Sequence, residues 1–170
     1  EIGARAAVQM PFASFPTWFF DYDNDGRLDI FVSSYPPSVE EFAKHYVGQP
    51  PAAEPLALYR NLGNWRFQDI TISAGVACDG QLSTGTTFAD VNGDGHLDLL
   101  VTALGNGTRL FANDGKAHFK EAVHSGLIQR FGGRSMALAD IDGDGDLDLY
   151  VANYRSTTVR DAPVSVKVKK

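Results

Sequence analysis

Three stretches of the chain crowd aspartate into short windows: DYDNDGRLD from Asp21, DVNGDGHLD from Asp90 and DIDGDGDLD from Asp140. Like charges this close repel one another and resist desolvation, so the pattern calls for a cation to neutralise it. In each window, carboxylate or amide oxygens fall at loop positions 1, 3, 5 and 9. These are Asp21, Asp23, Asp25 and Asp29; then Asp90, Asn92, Asp94 and Asp98; then Asp140, Asp142, Asp144 and Asp148. Glycine at position 6 (Gly26, Gly95, Gly145) permits a sharp turn. The position-7 residues Arg27, His96 and Asp146 can each add a main-chain carbonyl. Calcium takes about 6–8 oxygens in flexible geometry, whereas magnesium demands a stricter octahedron and keeps its waters. The expectation is therefore Ca2+, up to three ions, one per loop. Position 9 is expected to close each site, and the His96 ring to be left to solvent.

A helix-loop-helix calcium site would carry a bidentate Glu at position 12. Here that position holds Val32, Val101 and Val151. The runs leaving the loops, LDIFV, LDLLV and LDLYV, are rich in β-branched and aromatic residues and read as strands. Asp and Gly are also ordinary turn residues without metal. Three copies in one register, at equivalent places of a repeated unit, favour the metal reading.

The elements that position these loops repeat as well. An apolar residue stands two places before each loop (Phe19, Phe88, Leu138), so a strand enters and a strand leaves. Farther on, LYRNLGNWRFQDITISAGV from Leu58 aligns with LFANDGKAHFKEAVHSGL from Leu110, matching Asn61 with Asn113, Gly63 with Gly115 and Phe67 with Phe119. Each reads as strand, tight turn, strand. The middle unit is expected to place strands at Thr84 to Ala89, Leu97 to Ala103, Arg109 to Asn113 and His118 to Val123. Four short antiparallel strands per unit, with loops 69 and 50 residues apart, predict an all-β fold of β-propeller blades, with the acidic loop in each first hairpin. Blade 1 is expected at about 17–76 with an insertion at 35–57, blade 2 at about 83–127, and a partial blade 3 at about 134–170, roughly two and a half blades. The insertion predicts one short amphipathic helix: Val39, Phe42, Ala43, Tyr46 and Val47 share a face, Ser38 and Glu41 suit a capping box, and Gly48 can end it. That face is expected to lie against the blades.

The chain has 170 residues, 44% apolar, with a net charge of −6; twelve of its 21 acidic residues lie in the three windows. This composition fits a folded domain and argues against a nucleic-acid partner, the tail lysines Lys167, Lys169 and Lys170 being too few to matter. No apolar run is long enough for a membrane span. Cys78 stands alone and is expected to be an idle thiol. The start at Glu1 suits a processed protein or a fragment. No G-x-S-x-G, H-E-x-x-H or P-loop pattern is present, and His45, His96, His118 and His124 show no triad arrangement. The chain is thus expected not to be an enzyme.

The loops at Asp21, Asp90 and Asp140 resemble the FG-GAP or VCBS repeats of integrin alpha subunits and many secreted bacterial proteins. The patterns DYDNDGRLDIFV and LYRNLGNWRFQDITISAGV are especially similar to the cartilage acidic protein and ASPIC/UnbV group. The likeness covers roughly Thr17 to Tyr154. The Phe-Gly element appears plainly only as Phe131-Gly132, without its usual Gly-Ala-Pro partner. The resemblance implies a β-propeller on an extracellular or periplasmic protein, calcium in the hairpin loops, and recognition surfaces elsewhere for a protein or glycan ligand in adhesion. Closure needs further blades, from a longer chain or from another chain. Two alternatives stand beside this reading. One is the propeller portion of a secreted enzyme of lyase, phospholipase or phosphatase type. The other is a lectin, with Trp18, Trp65, Tyr59 and Phe111 as sugar-stacking candidates.

Overall fold

A computed structural model describes residues 6, 8, 11, 14–34, 38–47, 49, 54–104, 107–127 and 132–153, without the side chains at 15, 16, 42, 45 and 46. Strands β1 (Ser14–Phe20), β2 (Asp29–Ser34), β3 (Ala57–Asn61) and β4 (Phe67–Asp69) form one antiparallel sheet in chain order. Strands β5 (Ser83–Ala89), β6 (Asp98–Ala103), β7 (Gly107–Asn113) and β8 (Phe119–Glu121) form a second of the same topology. Strands β9 (Gly133–Ala139) and β10 (Asp148–Asn153) make a two-stranded third. The all-β partial propeller expected from the repeats is what the chain builds. The fourth strands are shorter than the sequence pattern implied.

The sheets stack in series, β5 contacting β1 and β2, and β9 contacting β5 and β6. Between the first two lies the core, in which Tyr22, Phe31, Leu58, Leu99, Val101 and Phe111 are buried. Phe20 stacks on Phe88 at 3.7 Å between ring centroids, and Phe31 meets Phe88 edge-on at 5.3 Å. Such aromatic pairs add roughly 0.5–1.5 kcal/mol beyond the apolar area they remove from water. Every residue of β6 is buried because sheets cover both of its faces. Close approach of the second and third sheets requires a missing side chain: a Cβ on Gly85 would meet the Arg134 carbonyl oxygen at 2.9 Å.

Helix α1 (Val39–Tyr46) occupies the insertion, and Ser38 Oγ accepts the Glu41 N–H at 3.2 Å, the first half of the expected capping box. Lys44 pairs with Glu40 and Glu41 at 3.1 and 2.5 Å. The described part of its apolar face is not buried on the blades: Val39, Ala43 and Val47 are exposed. Gly48, Phe131 and residues 154–170 lie outside the described residues. A four-residue helix, α2 (Thr71–Ala74), follows β4; left-handed Gly75 ends it, its N–H donating to the Ile72 carbonyl at 3.1 Å and the next N–H, of Val76, to the Thr71 carbonyl at 3.1 Å.

Candidate metal centres

All three acidic loops close their hairpins on the same register, with Phe20 opposite Asp29, Ala89 opposite Asp98 and Ala139 opposite Asp148. Repulsion among the carboxylates is offset first by the backbone. Asp21 accepts the N–H groups of Asp25 and Gly26 at 3.0 and 2.8 Å. Asp90 accepts those of Gly93, Asp94 and Gly95 at 2.8, 3.1 and 2.8 Å, and Asp140 those of Gly143 and Gly145 at 2.7 and 3.1 Å. These donors, Gly95 foremost, hold the Asp90 carboxyl below its ordinary range. Glycine at position 6 is needed because φ there is +83° in Gly26, +85° in Gly95 and +95° in Gly145.

The position-9 aspartates do a job that spacing did not reveal. Asp29 and Asp98 are wholly buried. One oxygen of each accepts the position-2 N–H, Tyr22 at 3.3 Å and Val91 at 3.2 Å. The other accepts the N–H of an asparagine on the third strand, Asn61 at 2.7 Å and Asn113 at 2.8 Å. Those asparagines return a bond from Nδ2 to the position-8 carbonyl, Leu28 at 2.8 Å and Leu97 at 3.0 Å. Each asparagine also accepts the N–H of the turn glycine, Gly63 at 2.8 Å and Gly115 at 2.9 Å. The matched asparagines of the sequence repeat are therefore straps that fasten loop, third strand and following turn. Burial pushes the Asp29 carboxyl up to about 6, more than these N–H donors lower it; burial raises Asp98 as well.

Position 7 also contributes more than a carbonyl. The His96 ring, expected in solvent, is packed against the turn: a Cβ on Gly115 would lie 2.4 Å from its Cε1. Its Nδ1 is buried without a hydrogen-bond partner. Arg27 takes the same course in the first loop, its Nε donating to the Asn61 carbonyl at 2.9 Å. Asp146 in the third loop is exposed.

Two groups of oxygens converge among the described residues. Asp21, Asp23 and Asp25 offer ligand atoms within 4.8 Å of one another, as do Asp140, Asp142 and Asp148. Position 9 thus joins the cluster in the third loop and stands apart in the first, where Asn61 engages it. Asp144 accepts the Asp146 N–H at 2.9 Å. In the second loop Asn92 replaces a carboxylate, and its Nδ2 donates to Asp94 at 3.0 Å.

The donor set suits a hard divalent ion: all oxygen, anionic and bound to no hydrogen along part of its surface. Asp23 carries the strongest local sign. Its side chain is 6% exposed, and neither carboxylate oxygen receives a hydrogen bond. What faces it is a charge, Arg60 Nη2, 2.7 Å from Oδ2 and also 3.8 Å from Asp25 Oδ2. Arg27 pairs with Asp25 too. Sequence reasoning missed Arg60, and no signal in the sequence marks it, since it meets Asp23 only through the pairing of the strands.

Of the sugar-stacking candidates, Tyr59 and Phe111 are buried and Trp18 packs against the core. Trp65 is 75% exposed, on a turn where Asn64 and Trp65 have φ of +52° and +59°.

A protein-family model described as an FG-GAP-like repeat matches residues 21–101 and again residues 90–151. No curated protein matches the chain.

Proposed function

Because the chain belongs to the FG-GAP-like repeat family, we propose that it is a calcium-binding, noncatalytic part of an extracellular or periplasmic β-propeller that mediates protein or glycan contacts. The observation that carries the metal reading is the convergence of Asp21, Asp23 and Asp25 within 4.8 Å, with the Asp23 side chain 6% exposed and faced by the Arg60 guanidinium rather than by backbone donors. These three residues would hold one ion, and Asp140, Asp142 and Asp148 another; Asp90, Asn92 and Asp94 offer the corresponding oxygens in the second loop. The ion would supply the charge that the backbone donors only partly provide. Its role is to brace a hairpin.

An extracellular setting suits such loops, since calcium modules of moderate affinity fill where the ion is abundant. Among the described residues no helix is long and apolar enough to cross a membrane. Cys78 is no candidate nucleophile, since burial pushes its thiol up to about 12. Exposed Trp65 favours a glycan as the second form of ligand, because an indole in the open can stack on a sugar face.

The deciding experiment is thermal melting of protein whose calcium content has been established by elemental analysis, with and without EDTA. An ion at about 100 times its Kd stabilises the fold by about 2.7 kcal/mol, or roughly 5–10 °C in a chain of this size. A calcium-loaded protein whose melt ignores chelation would sink the bracing role. A glycan array run beside calcium-dependent protein capture separates the two ligand classes.

A further inference from the structure

Resting on the calcium reading above, we propose that Arg60 is a built-in competitor for the first loop: its guanidinium occupies part of the charge field meant for a divalent ion, and calcium enters only by displacing it. Asp23 and Asp25 belong to the first cluster of converging oxygens. Both face the same Nη2 atom, at 2.7 and 3.8 Å. The contact is charge against charge, since Asp23 receives no aligned hydrogen bond and Arg60 Nε is buried with no acceptor. Arg60 is thus drawn to the carboxylates through Nη2 while its Nε donor stays unsatisfied. That leaves it replaceable by a better cation.

The second sheet supplies a contrast. Arg60 pairs with Gln68 across its sheet and Ala112 pairs with Lys120 across the other, each one residue before the strap asparagine. Ala112 brings no charge. Among the described residues no lysine or arginine pairs with Asp90, Asp94 or Asp98. The two loops share a backbone but differ at position 3, where Asn92 stands for Asp23, and in the guanidinium groups of Arg27 and Arg60, so the effect of Arg60 is read within the first loop against its own parent. Until it moves aside, the guanidinium meets an incoming divalent ion with like charge in a partly desolvated place, where a neighbouring charge shifts an equilibrium by about tenfold or more.

The test is calcium titration calorimetry on the metal-stripped chain. The first loop is isolated by Asp94→Asn with Asp144→Asn, and the second by Asp25→Asn with Asp144→Asn. In the first background Arg60→Gln should tighten calcium binding about tenfold, while Arg60→Lys, which keeps the charge, should stay close to the parent. In the second background Ala112→Arg should weaken binding by a similar factor. Circular dichroism confirms that each variant is folded. Equal affinities with and without the Arg60→Gln substitution, with calcium still bound at the second loop, overturn the competitor role and leave the calcium reading intact. No calcium heat in either background overturns both.

Discussion

The first and second loops run through the same turn and are fastened by the same strap, yet their charge is balanced differently. In the first, Arg60 and Arg27 bring guanidinium groups against Asp23 and Asp25. In the second, Ala112 stands in place of Arg60, and the position-7 side chain is His96, lodged on Gly115. The element these two sheets share is a set of backbone donors and buried acceptors, which fixes shape. The varied element is side-chain charge, on which the proposed attraction for an ion would depend. Shape and charge balance are therefore set by different residues.

Three sets of measurements probe that division, beginning with the largest effect. Asp29→Ala and Asp98→Ala each strand two backbone N–H groups that the carboxylate now satisfies. Each should cost roughly 2–4 kcal/mol in urea unfolding. Near-equal losses are expected, because the clamp is the part the two loops share; a loss confined to one of them would break the comparison.

A smaller difference should separate the straps. Asn113 Nδ2 donates to Leu97 within its own sheet and also to the Tyr22 carbonyl of the first loop at 3.0 Å. Asn61 Nδ2 donates to Leu28 alone in the described residues. Asn113→Ala should therefore destabilise the chain by about 1 kcal/mol more than Asn61→Ala. Because the extra bond joins one sheet to its neighbour, the difference should vanish when Tyr22 is no longer held in place. Equal costs would mean the contact between sheets carries no energy.

The smallest effect is in pH. Burial lifts Asp29 from 3.8 to about 6, with Asp23 and Asp25 adding to the rise. An acid whose folded pKa is raised stabilises the fold in its neutral form. In EDTA, its contribution is full below pH 3.8 and is lost as pH climbs through about 6. Stability should fall across that window by on the order of 1 kcal/mol, and Asp29→Asn should flatten the slope more than Asp98→Asn. Chemical denaturation at closely spaced pH values would show whether the two sheets differ in this way.

The repeats made the hairpins legible. Period-two apolar runs on either side of an Asp- and Gly-rich turn can do little except fold back on themselves, and three copies fixed the register of loop to strand. The carboxylate clusters of the first and third loops were legible for the same reason, being close in sequence. Less of the strap could be read, since Asn61 and Asn113 stood out only as matched turn residues. Their partners Asp29 and Asp98 lie 32 and 15 residues away. The α1 face misled because an apolar stripe states a capacity for burial, and Val39 and Val47 remain exposed in the fold.

What the amino-acid order settled alone was local: where chains turn, which short loops gather the carboxylates, and how many times the unit recurs. Those follow from backbone sterics and side-chain alternation within a few residues. The tertiary structure decided which carboxylates are buried, which receive N–H groups from a distant strand, and which meet a guanidinium instead. Burial and charge pairing depend on neighbours brought together through space, and Arg60 meets Asp23 only after the third strand has been laid beside the second.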